Sequence, residues 1–157
     1  MTYFVDMNYG VAKPCNTVEP ASRPKLSGQN MSNRDFRRDI CNDTNFTGCT
    51  SNEGDFDCAK MERAIFHGAN LRNSNFSRAN LKRANFYGAD LHRSRLDGCD
   101  CDSVSFYGAS LHSASLVEAN PRKANLRGAD LRNANLTNAD LTGASLAGAN
   151  LTGAIRE

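Results

Sequence analysis

Six cysteines and three histidines stand out first in this 157-residue chain, because thiolate and imidazole supply most protein nucleophiles, bases and soft-metal ligands. Cys99 and Cys101 form the run Cys-Asp-Cys, which is not a zinc spacing, and no second Cys or His pair accompanies it. No Ser or Cys is placed to act as a nucleophile beside His67, His92 or His112. The glycines are dispersed rather than clustered before a helix, which removes phosphate-cradling and dinucleotide motifs. The expectation is a protein without catalytic residues, metal or cofactor. The 19 basic and 17 acidic residues give a net charge of +2, too little to steer the whole molecule to DNA or an anionic membrane. The distribution is less even, with eight basic residues against Glu62 and Asp90 between Lys60 and Arg95.

The elements that hold these residues follow from the run "ANLRGADLRNANLTNADLTGASLAGANLTGA", Ala124 to Ala154. Leu recurs at every fifth position with Ala two residues before it, which matches neither a helix nor a plain strand. The register extends back through Leu126, Leu116, Leu111, Phe106, Leu96, Leu91, Phe86, Leu81, Phe76, Leu71, Phe66, Met61, Phe56, Phe46, Phe36 and Met31 to about Leu26 without insertion. One small and one large inward residue per unit predict a short extended segment that turns a corner.

A longer period counts the sides. Gly28, Gly48, Gly68, Gly88, Gly108, Gly128 and Gly148 stand twenty residues apart, so four units complete one coil. The first wall then carries Phe46, Phe66, Phe86, Phe106 and Leu126, and the opposite wall carries Phe36, Phe56, Phe76, Leu96 and Leu116. The Gly column suits a corner that requires positive φ. About six and a half coils near 4.8 Å apart predict a rod roughly 30 Å long.

The units "ANLRGADLRNANL" resemble the pentapeptide-repeat family, whose consensus is close to A(D/N)LXX. The resemblance implies an all-β fold, a right-handed quadrilateral β-helix. It also raises a mechanism, since some members of that family protect type II topoisomerases through acidic, DNA-like surfaces. The basic middle of this chain argues against such mimicry, as does the lack of the C-terminal helical cap through which such members dimerise.

Three regions are expected: an extended arm over 1–25, the β-helix over 26–155 and a tail over 156–157. The arm contains Pro14, Pro20 and Pro24 and apolar residues such as Phe4 and Val5, which either fold back over the first coil or reach a partner. It is not a signal peptide, and no stretch is long enough to span a membrane. The C-terminal end is an exposed coil, a site for a homodimer or a chain cut short. Cytoplasm is the default location, with a lumen or periplasm as the alternative if a targeting segment is missing.

In register, Cys41, Cys49, Cys99 and Cys101 point inward as small hydrophobes, whereas Cys15 in the arm and Cys58 at a corner are accessible and either could form a disulfide. Cys41, Ser51, Cys101 and Pro121 are the non-standard large residues, three of them on one irregular wall that is either a tolerated defect or a groove. Outward, His92 and His112 stack between Arg72 and Arg132. The column Glu62, Lys82, Asp102, Arg122 suggests a vertical salt ladder, and Arg63, Arg83 and Lys123 form either a solvated face or an anion-binding stripe. His67, Tyr87, Tyr107 and Arg127, beside the Gly column, form either a stabilising aromatic stack or a flat docking strip. The functional expectation is a non-enzymatic rod that docks an unidentified protein partner by its flat walls. A topoisomerase regulator is the alternative, and binding of anions or nucleic acid by the basic stripe ranks below it.

Overall fold

The computed structural model describes residues 26–157. The arm expected over 1–25, including its fold-back and Cys15, lies outside the described residues.

Each five-residue unit is a single turn joined to a single bridging residue. The small inward residue donates its N–H to the carbonyl of the preceding large residue, as Ala64 does to Met61 at 3.0 Å and Ala89 to Phe86 at 3.0 Å. That bond closes a β-turn whose third residue has positive φ, a type II-like geometry. Coils are then joined by parallel bridges between residues twenty apart, from Asn30 with Thr50 to Asn135 with Ile155. Phe66 donates its N–H to the Asn85 carbonyl at 2.7 Å, and Ile65 to the Thr44 carbonyl at 3.0 Å. Strand character is thus confined to isolated bridges, one per side, because the chain turns again before a second residue can join the ladder. In chain order the walls are defined by Phe46, Phe66 and Phe86 (first), Ser51, Leu71 and Leu91 (second), Phe56, Phe76 and Leu96 (third), and Met61, Leu81 and Cys101 (fourth).

The Gly column stands at a corner of positive φ, as expected, and the same conformation extends beyond it. Positive φ recurs at every fifth residue from Gly28 to Gly153, and sixteen of these positions are not glycine, with φ between 54° and 61°. All four corners therefore share one backbone conformation, and glycine does not mark a special one. A Cβ added at Gly48, Gly68, Gly88 or Gly108 would meet nothing within 4 Å. The Gly column relieves conformational strain along one edge and leaves that edge bare.

The core is a column of inward side chains. Phe66 and Phe86 are fully buried and stack at 4.6 Å with planes 3° apart. Phe76, from the opposite wall, meets their edges at 5.7 Å, so the two Phe ladders interlock at right angles, a favourable aromatic geometry. The irregular large positions are filled without exposed gaps: Cys41, Ser51 and Cys101 are fully buried, and the Ser51 hydroxyl donates to the Met31 carbonyl at 3.3 Å. Pro121 removes one rung, since it has no N–H, and no bridge joins Asn120 to Asp140 among the described residues. Asp140 still donates its N–H to the Ala119 carbonyl at 3.0 Å, which holds the coil in register.

Candidate functional site

The first wall presents three outward columns, because each segment starts at a corner residue, passes a bridging residue and ends at the next corner. The rows read Arg63, Ile65, His67; then Arg83, Asn85, Tyr87; then Ser103, Ser105, Tyr107; then Lys123, Asn125, Arg127. Bridges from Ile65 to Asn85, Asn85 to Ser105 and Ser105 to Asn125 fix the stacking. The basic stripe expected on the fourth wall therefore stands at its corner with the first. It forms one edge of the wall whose other edge is the aromatic strip, so both candidate sites border a single face.

Local hydrogen bonds set the strip. The Asn85 side-chain oxygen accepts the N–H of Tyr87 at 2.9 Å, and Asn45 and Asn125 do the same for Thr47 and Arg127 at 2.8 and 3.3 Å. This Asx-type cap fixes the corner from which each ring projects. Tyr87 and Tyr107 are 45% and 42% exposed. Their rings lie parallel, 5.4 Å apart, and the His67 ring meets Tyr87 edge-on at 4.6 Å. The strip is thus a stacked ladder whose ring faces are directed largely at one another. Ile65, 38% exposed, sits between the two edges. Sequence reasoning overlooked it, although an Ile between Asn45 and Asn85 in a bridging column was a visible signal.

The expected vertical salt ladder is replaced by a diagonal one. Lys82 pairs with Asp100 at 2.9 Å, Arg72 with Asp90 at 3.4 Å, and Arg122 with Asp140 at 3.6 Å, each partner eighteen residues on. The cause is that a bridging Asp turns one oxygen to the N–H two residues ahead, as Asp90 does for His92 at 3.0 Å and Asp140 for Thr142 at 3.0 Å. The other oxygen then faces the cation one coil below. Glu62, by contrast, pairs with its neighbour Arg63 at 2.6 Å. Arg63 is also held by Asp43 at 2.6 Å, so its charge is compensated and the basic stripe reduces to Arg83 and Lys123. Where cation and carboxylate share a segment, Arg132 holds Asp130 down to about 2 through a direct hydrogen bond.

Away from its basic leading corner, the first wall differs from the others in carrying almost no charge. Arg127 is the one charged residue in its bridging and following-corner columns from Asn45 to Ala147, whereas the fourth wall's equivalent columns hold Lys60, Glu62, Lys82, Asp100, Asp102 and Arg122. Three of the five exposed large hydrophobic side chains among the described residues, Ile65, Tyr87 and Tyr107, lie on the first wall.

Other chemically active groups do not assemble. His92 and His112 stack at 5.0 Å as expected, and His92 is pushed to lower proton affinity first by burial and then by Arg72. Among the described residues no group of three or more His, Cys, Asp or Glu could hold a metal ion. Cys49, Cys99 and Cys101 are buried free thiols and Cys58 is a half-exposed free thiol. Cys41, expected as a free inward thiol, is instead disulfide-bonded. Burial pushes Cys49 up to about 12. The contact with Cys101, followed by burial, raises Cys99 as well, so these thiols are held protonated and unreactive. Asp39, which the repeat pattern did not single out, occupies a small inward position and is fully buried. An open concavity of about 470 Å³ on the third wall is lined by Asp57, Arg78, Arg95 and Asp97, whose charges pair at 2.7 and 3.5 Å. No helix is long and apolar enough to cross a membrane among the described residues.

The family profile described as pentapeptide repeats matches this chain in eight copies, over residues 40–83, 64–100, 84–120, 105–143 and 122–155. No curated protein sequence matches. Among solved structures, a trypsin-treated variant of QnrB1, a plasmid-mediated fluoroquinolone resistance protein, aligns with a TM-score of 0.57 at 22% identity, covering 80% of this chain and 72% of that one. A second trypsin-treated QnrB1 variant gives 0.53 at 21% identity, covering 81% and 74%. Rfr23, a pentapeptide-repeat protein from the cyanobacterium Cyanothece 51142, gives 0.46 at 21% identity, covering 85% and 88%.

Proposed function

Because this chain belongs to the pentapeptide-repeat family, whose fold is the right-handed quadrilateral β-helix, we propose that it works as a rigid rod that docks a protein partner on its first wall. Members of the family are generally non-enzymatic structural or interaction modules. A stack of about six and a half coils, roughly 30 Å long, has little freedom to close around a small molecule. It can offer pre-ordered surface, which lowers the cost of association.

The observation that carries this reading is the contrast between walls. The other three walls carry cations and carboxylates, many of which pair with each other, and such screened pairs contribute little to binding. The first wall instead exposes Ile65, Tyr87 and Tyr107 beside a glycine edge without side chains. Tyr is enriched at binding hot spots, where an apolar body and a polar tip are both used. DNA mimicry fits less well, because imitation of the phosphate backbone requires a dense negative field.

The test is the double substitution Tyr87→Ser with Tyr107→Ser. Docking predicts that co-purification of the cellular partner is abolished while the melting temperature stays within a few degrees. Lost stability with binding retained in the folded fraction would leave the tyrosines a structural role alone.

A further inference from the structure

We propose that the segment received by this wall is acidic and extended, a run of about four or five residues bearing Asp or Glu side chains laid along the wall between Arg83 and Arg127. The proposal rests on the docking reading above and adds the chemistry of the partner.

Its basis is a break in the charge pattern. On the other walls, each cation just after a large residue is paired, with an Asp eighteen residues on for Arg37 with Asp55 at 3.7 Å, Arg72 with Asp90, Lys82 with Asp100 and Arg122 with Asp140, and with an Asp two residues back for Arg132 with Asp130 at 2.6 Å. Arg127 occupies the same place on the first wall, and the residue eighteen on is Ser145. Some corner cations are held, Arg63 by Asp43 at 2.6 Å and Arg78 by Asp57 at 2.7 Å, whereas others, such as Arg93, make no ion pair among the described residues. Arg83 and Lys123, at the first wall's leading edge, make no ion pair among the described residues. Arg83 lies one coil from Arg63, whose guanidinium is already occupied by Asp43 and Glu62. The bridging column between these edges runs Asn85, Ser105, Asn125 and offers no carboxylate.

Three uncompensated cations therefore surround an exposed aromatic pair, so the complementary ligand carries negative charge and some apolar surface. Complementary potential of this kind sets partner choice and association rate. Size selects the form of the ligand. The two edges are at most about 14 Å apart, and Arg83 and Lys123 are two coils, about 10 Å, apart. Such a patch is far below the roughly 800 Å² per partner of a standard globular interface, and it matches a short extended segment. A single nucleic-acid strand is disfavoured because its bases would need open aromatic faces, and Tyr87 is already stacked on Tyr107 and met edge-on by His67.

The probes are three fluorescein-labelled peptides, each three repeats long: Glu-Leu-Glu-Ser, Gln-Leu-Gln-Ser and Lys-Leu-Lys-Ser. A labelled oligothymidylate of twelve nucleotides is the fourth. Binding is followed by fluorescence anisotropy with the full chain. The acidic peptide is expected to bind at least about tenfold more tightly than the Gln peptide, with the advantage largely lost between about 50 and 500 mM salt. The triple variant Arg83→Gln, Lys123→Gln, Arg127→Gln should reduce acidic-peptide binding to the Gln level without lowering the melting temperature. Equal affinity for the peptides, preference for the Lys peptide, no binding of any peptide, or insensitivity to the triple variant would overturn the proposal. Tighter binding of the oligothymidylate would overturn it in favour of nucleic acid. If the acidic peptide fails while Tyr87→Ser with Tyr107→Ser still abolishes co-purification of the cellular partner, the acidic chemistry falls and the docking wall stands. If the double variant retains that partner, the docking reading itself falls.

Discussion

The rings of Phe66 and Phe86 lie face to face at 4.6 Å, one coil apart, with both fully buried. Removing one ring opens a cavity between two others, because Phe86 also stacks on Phe106 at 5.2 Å. Phe86→Ala is therefore expected to cost about 3 to 5 kcal/mol, measured by denaturant unfolding. A cost below about 1 kcal/mol would mean that the column tolerates loss of a ring by collapse.

Glycine serves two different purposes in this rod, and substitution separates them. Gly88 has φ of +61° with open space beyond its Cβ position, so Gly88→Ala meets only conformational strain of roughly 1 kcal/mol. Gly54 sits in an inward small position, where a Cβ would press against the Ser51 side chain and stand 3.0 Å from the Phe56 ring. Gly54→Ala is expected to cost more, about 1 to 3 kcal/mol from overpacking. Thermal melts of the two variants should rank in that order, and the reverse order would place the steric demand at the corners.

The repeat itself was legible because the five-residue period fixes which side chains face inward and the twenty-residue period fixes which of them stack. Phe66, Phe76 and Phe86 fell into place on that arithmetic alone. Positive φ was legible at the Gly column but not at the other corners, because Arg, Glu and Cys adopt it there as well, and composition hides a strain that the ladder of hydrogen bonds imposes. The ion pairs were misplaced because a bridging Asp first caps a backbone N–H, a local preference that shifts its partner from twenty residues to eighteen. The candidate residues were each named from sequence, but the shared wall was not. It emerges only when the corner holding Arg83 and Lys123 is seen to open the same segments that end in Tyr87 and Arg127.

The Arg132 guanidinium holds Asp130 at about 2, below the ordinary 3.8. A carboxyl lowered in the folded state contributes stability that is complete above about pH 4 and is lost as pH falls through about 2. An NMR titration of the Asp130 carboxyl should show its midpoint near 2, and Arg132→Gln should return it towards the ordinary value. The pair is exposed, so the accompanying change in global stability is expected to be small. A wild-type midpoint at the ordinary value would mean that the ion pair does not persist in solution.

Purified DNA gyrase should supercoil DNA at the same rate with and without this protein, because many carboxylates of the charged walls are paired with cations and the first wall carries no carboxylate from Ile65 to Arg127. Inhibition at near-stoichiometric protein would restore DNA mimicry as the function.

Photo-cross-linking from two equivalent positions distinguishes a partner received by the first wall from one received by another. Ser105 and Ser110 are both half-buried bridging serines, one on the first wall and one on the second. With benzoylphenylalanine in place of Ser105, illumination in the source cell should yield a covalent adduct with one partner. The same group in place of Ser110 should yield none. Adducts of equal yield from both positions, or from Ser110 alone, would contradict a dedicated first-wall docking site.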